Sequence, residues 1–144
     1  MQIQALNAFV NRDAATAFKW NAAFLQLMDE HVHLKQIYAE RYFSALNNYL
    51  IDCLILQKHN DLLNGIATLR ELPKMPEFRH IQHLDATVFR LSYSLEINYY
   101  VGNNNFTAAA QCALQIRKGI NQFAEYIPKP NIITLNYLCA YTLF

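Results

Sequence analysis

Three glycines and four prolines are all the turn punctuation in this 144-residue chain, and they are not evenly spread. Pro73 and Pro76 sit together, as do Pro128 and Pro130, and Gly102 opens a run of three asparagines. A many-stranded sandwich or barrel needs turn signals about every 8–12 residues, so so few breaks exclude it. They also leave no glycine-rich loop to cradle a phosphate. Between the breaks, apolar residues recur every three or four positions, which is the period of a helix. The chain is therefore expected to be all-α.

The punctuation sets the expected boundaries. Asp13 is a good N-cap for a helix over 14–33, whose apolar face is Phe18, Ala22, Leu25 and Met28. A second helix is expected over 38–57 and a third over 62–72, joined by Lys58-His59-Asn60-Asp61. The prolines at 73 and 76 predict an extended linker. A long helix over 77–101 follows, with one apolar stripe through Ile81, Leu84, Val88, Leu91 and Leu95 and another through Phe89, Tyr93, Ile97 and Tyr100. A helix apolar on two sides lies between neighbours. Gly102 suits a left-handed C′ position, and Asn104 or Asn105 can cap the next helix, over 106–126. The final helix, 132–144, is apolar nearly all round.

Composition narrows the class further. Apolar residues make up 53% and charged residues 16%, against a usual charged share of about 25%, which excludes disorder for most of the chain. A net charge of +1 with no basic stripe gives no electrostatic reason to expect nucleic acid or an anionic membrane. Cys53, Cys112 and Cys139 are odd in number, widely spaced and set in apolar stretches. They suggest buried thiols rather than disulfides or a zinc site. The N-terminus has neither the basic nor the long apolar region of a signal peptide, and no apolar run reaches the ~18 residues of a membrane span. A cytoplasmic location is the expectation.

An internal recurrence organises these helices. Tyr49, Tyr93 and Tyr137 fall 44 residues apart, and so do Leu56, Tyr100 and Phe144. In the partner helices, Phe18, Leu62 and Phe106 align, as do Met28, Leu72 and Ile116. Gly65 and Ala109 share a small-residue column, Asp52 and Glu96 an acidic one. Agreement among columns, not any one triplet, makes this a repeat of about 44 residues. Units are expected at about 1–36, 37–76 and 77–130, with the start of another at 131–144. Extended backwards, the register puts Ala5, Leu6 and Phe9 in an opening helix.

These columns resemble a tetratricopeptide repeat. Helix A carries Tyr49, Tyr93 and Tyr137; helix B opens with Leu62 or Phe106, followed three positions later by Gly65 or Ala109. The stretch Tyr99–Ala110 is the closest local match. The unit is longer than the family's, and Asp52-Cys53 and Glu96-Ile97 stand where the family has a leucine and a small residue. The resemblance implies one helical-repeat domain, a right-handed superhelix of stacked antiparallel hairpins (an α-solenoid). It further implies a concave binding face formed by Asn47, Leu50, Leu54, Gln57, Leu91, Ser94, Asn98 and Val101.

Signals for chemistry are sparse. His80 and His83, with Glu77 a turn earlier, share one face of the expected helix and could hold a transition metal; a solvated helix face is the blander reading. Asp52 and Glu96 could pair for acid–base work, with Arg41 and Arg90 as neighbours, or could simply form structural ion pairs. No metal, cofactor or catalytic residue is assigned. The expected function is a non-catalytic scaffold that binds protein or peptide, with possible self-association through the apolar C-terminal helix. The alternatives are a sensor segment of a larger signalling protein and a metal-dependent enzyme.

Overall fold

The structure is a computed structural model, and it describes residues 13–143. Ala5, Leu6 and Phe9, expected in an opening helix, lie outside the described residues. The described residues contain helices and turns and no strand. They divide between Gln82 and His83 into two compact units. The first holds α1 (Ala14–Glu30), α2 (Val32–Ile37), α3 (Ala39–Ile55) and α4 (His59–Glu71), followed by 3-10 turns at Leu72–Lys74 and Pro76–Phe78. The second holds α5 (Leu84–Gly102), α6 (Phe106–Phe123) and α7 (Lys129–Leu143).

Local chemistry explains most of these bounds. The Asp13 carboxylate caps α1 by accepting the Thr16 N–H at 3.1 Å, and Asn105 caps α6 by accepting from the Ala108 N–H at 3.2 Å. Two helices end in the same way. After α3, Gln57 turns left-handed at φ 57°, and the Lys58 N–H closes back on the Cys53 carbonyl at 2.9 Å. After α5, Asn104 does so at φ 58°, and the Asn105 N–H reaches the Tyr100 carbonyl at 2.9 Å. Both closures are Schellman motifs, which satisfy carbonyls the helix leaves open. The left-handed residue is thus Asn104 rather than Gly102, which stays helical.

Three other expectations are corrected. The helix expected over 14–33 stops at Glu30, where His31 leaves helical dihedrals at φ −130° and ψ 75°. The Pro73–Pro76 stretch is not simply extended: each proline sits in the first turn of a short 3-10 helix, with only Met75 extended between them. The helix expected from 77 begins at Leu84, and His83 before it is left-handed at φ 53°. Residues 79–83 form turns, so Ile81 never joins the apolar stripe of α5.

In the first unit α3 is central, with α1 on one side and α4 on the other. Leu50, Cys53, Leu62, Leu69, Leu72 and Phe78 are fully buried there, each large side chain contributing roughly 1.5–3 kcal/mol. The close approach of α3 and α4 depends on Gly65, where a Cβ would lie 2.2 Å from the Leu50 methyl. In the second unit α6 packs against α5 and α7. Phe89, Ile97, Ala109, Cys112, Ile116 and Cys139 form its core. Here the close approach depends on Gly119, where a Cβ would meet the Phe89 ring at 2.0 Å.

The helix starts at Ala39, Leu84 and Lys129 recur at nearly the interval of the tyrosine column. The partner helices do not keep that interval. Leu62 lies fully buried in the first turn of α4, whereas its counterpart Phe106 opens α6 half exposed.

Candidate functional site

The first unit carries a cleft of about 460 Å3 between α1 and α4, floored by α3. Its floor comes from one stripe of α3, Tyr42, Leu46 and Tyr49, spaced to fall on a single helix face. Leu25 of α1 and Gly65 of α4 form the flanking walls. Gly65 brings the α4 backbone itself to the cleft, its missing side chain giving room to Leu50 of α3.

The polar groups of the cleft are one-sided. Asp29 and Glu30 at the end of α1 and Asp61 in the first turn of α4 line it, and no Lys, Arg or His does. Lys35 donates to Asp29 at 2.6 Å from outside the lining, and the Tyr42 hydroxyl donates to the same oxygen at 3.0 Å. Gln26 donates to Glu30 at 3.2 Å. Burial, and then the neighbouring Asp29 carboxylate, raise the Tyr42 hydroxyl above its ordinary range, so it remains a proton donor. Burial raises the Tyr49 hydroxyl too, and its ring stacks on Phe18 at 5.0 Å. The site therefore offers an apolar floor with two aromatic rings under an acidic rim.

No protein-family model, curated protein or solved structure matches this chain. The site must be read from its own chemistry.

The residues expected on a concave face do not form this cleft. Leu50, expected to be exposed, is wholly buried against the Gly65 backbone. Asn47 and Leu54 are partly buried, and the Asn47 side-chain oxygen is buried without a hydrogen-bond partner. Gln57 is exposed in the left-handed turn. These residues lie about 100° round α3 from the cleft stripe. Leu91, Ser94, Asn98 and Val101 belong to the second unit. Ser94 bonds the Arg90 carbonyl at 2.7 Å, Asn98 bonds the Ser94 carbonyl at 2.7 Å, and Val101 packs on the second core. Both polar side chains are thus turned back onto their own helix.

The acidic column separates as well. Asp52 is buried in the first unit, where it accepts a 3.3 Å hydrogen bond from the Asn21 amide of α1 rather than meeting a guanidinium. Burial pushes its carboxyl up to about 6. It does not line the first-unit cleft. Glu96 lies beside Tyr100 and lines a second-unit cleft of about 440 Å3 with Tyr93 and Lys118.

The His80–His83–Glu77 face does not exist as expected. Glu77 is in a 3-10 turn, His80 in a following turn, and the left-handed His83 stacks on Tyr126 at 4.1 Å between ring centres. Among the described residues no three His, Cys, Asp or Glu side chains gather as metal ligands. No described helix is long and apolar enough to cross a membrane. All three cysteines are buried and reduced, and burial pushes the Cys53 thiol up to about 11.

Sequence reasoning missed Asp29, Asp61 and Gly65 as parts of one site. Tyr42, Leu46 and Tyr49 read as an ordinary core stripe, and three scattered carboxylates carry no mark of convergence. Only the asymmetry was available: the first two helices place Asp29-Glu30 near their junction, and the next connection supplies Asp61.

Proposed function

We propose that this chain is a non-catalytic helical scaffold that binds a peptide or protein segment, and that the first-unit cleft is where it binds. In this reading the hairpins are tetratricopeptide-like and stack into an α-solenoid. The observation that carries it is the cleft, an open trough with an apolar, two-ring floor and a rim of carboxylates. That combination suits a Lys or Arg side chain, whose methylenes lie on the rings and whose charged head reaches the rim. Gln26 and Asn64 add amides able to bond a peptide backbone.

The test is fluorescence polarisation with two labelled peptide pools of equal length, one Lys/Arg-rich and one Asp/Glu-rich. Preferential binding of the basic pool is expected, weakening with salt and falling at least fivefold in Asp29→Asn/Asp61→Asn. Equal binding of both pools, or an unchanged affinity in the double variant, would remove the cleft from the function.

A further inference from the structure

One end of the first-unit cleft already holds a cation, and the cation belongs to the chain. Asp29 and Tyr42 line the cleft. The Lys35 ammonium donates to Asp29 Oδ1 at 2.6 Å and lies 4.5 Å from the centre of the Tyr42 ring. The Tyr42 hydroxyl donates to the same carboxylate oxygen at 3.0 Å. A carboxylate beside an aromatic face suits an ammonium, because the charge-assisted bond and the ring quadrupole both favour a cation. The Lys35 side chain is 13% exposed, although that of Asp29 is 52% exposed. In the Lys74–Glu71 pair, by contrast, the lysine stays 72% exposed.

The element that delivers Lys35 is weakly held. α2 has six residues, none of them buried, and so short a helix is not stable by itself. Val32, His33, Gln36 and Ile37 are exposed, and only Leu34 and Lys35 are partly covered. His31 and Tyr38 leave helical dihedrals at its two ends, with φ −130° and −111°. α2 is therefore a strap between α1 and α3 whose displacement uncovers little apolar surface.

We propose that Lys35 is an internal mimic of the ligand: the α2 strap plugs the Asp29–Tyr42 end of the cleft with its own ammonium, and a basic side chain of a bound peptide takes that place by displacing it. The proposal rests on the cleft as the binding site. Its consequence is autoinhibition, since the apparent affinity is the intrinsic one scaled by the fraction of molecules in which Lys35 has left. The plug also sharpens selection, because a neutral or acidic side chain gains nothing at Asp29 that would offset the loss of Lys35.

The test uses the full chain and a labelled, N-acetylated Arg-rich peptide, which has no amine to consume an acylating reagent. In the free protein Lys35 is expected to acylate at least fivefold more slowly than Lys74, read by mass spectrometry. Saturating peptide should raise the Lys35 rate at least threefold. By fluorescence polarisation, Lys35→Met should tighten the peptide at least threefold, and Lys35→Arg should change it less than twofold. Two controls separate displacement from the mere loss of a positive charge. Lys19→Met removes the same charge from an exposed site on α1 and should leave affinity within twofold. Lys35→Met added to Asp29→Asn should give no gain, because the partner of the plug is gone. A peptide that binds without raising Lys35 acylation, or equally well to Lys35→Met, overturns the inference and leaves the cleft reading standing. So does an equal gain in Lys19→Met or a gain that persists in Asp29→Asn. A peptide that binds neither the wild type nor Lys35→Met removes the cleft reading, and this inference with it.

Discussion

Asp52 sits fully buried between α1 and α3 with one amide, from Asn21, as its hydrogen-bond partner. Its carboxyl titrates near 6 in the folded chain, against an ordinary value of 3.8. The folded state therefore holds this proton more tightly than the unfolded state does. The sign follows from linkage: stability falls as pH rises from about 4 to about 6, then levels off. At 1.36 kcal/mol per unit, the loss from this one group is about 3 kcal/mol. Asp52→Asn keeps an acceptor for Asn21 and removes the charge. It is expected to raise stability by about 1–3 kcal/mol at pH 7 and to leave it unchanged near pH 4. Urea melts at both values check this, and equal effects at both would refute it. The sequence marks Asp52 as odd in an apolar run, but its partner lies 31 positions away on another helix. A single chain read along its length carries no trace of that pairing.

The helices themselves were largely legible, because caps and periodicity are local. Asp13 and Asn105 cap where their chemistry says they should. The misses fall where tertiary geometry overrode local preference. Residues 77–83 carry an apolar-periodic start, yet they form turns that lead into a left-handed His83. The pattern sees side chains and not the dihedrals that set them. The two Schellman turns show the same limit, since Gln57 and not a glycine takes the left-handed position after α3. That conformation costs a residue with a Cβ roughly 1–2 kcal/mol, and glycine in turn loses roughly 0.5–1 kcal/mol of unfolded-state freedom. Gln57→Gly is thus expected to stabilise by about 0.5–1 kcal/mol. Asparagine tolerates the left-handed region better, so Asn104→Gly should change stability little. Thermal melts of the two variants side by side test this ordering; a larger gain at Asn104 would contradict it.

At the scale of the whole molecule, the candidate site was the least legible part. A cleft needs three helices to converge, and its carboxylates come from the end of one helix and the start of another. The expected binding face followed helix register alone and placed the wholly buried Leu50 at the surface. The helices that carry the tyrosines start at Ala39, Leu84 and Lys129, within a residue of the 44-residue interval. It slipped in their partners, because the turn after α5 arrives three residues later than the turn after α3. The acidic cleft lies wholly within the first unit, so Tyr137→Ala in the second unit is expected to leave peptide affinity at the cleft unchanged in the same polarisation assay.

The three buried thiols give this division an experimental handle. Cys53 belongs to the first unit, and Cys112 and Cys139 to the second. A thiol reagent can reach each of them only when its own unit opens. In the native chain all three are expected to label slowly, and after denaturation at once. If the units open independently, mass spectrometry of partly labelled protein will show Cys53 modified on a different time course from the other pair. A single shared rate would mean that the chain opens as one body. The chain therefore carries its own clock for each half, with no label to be engineered in.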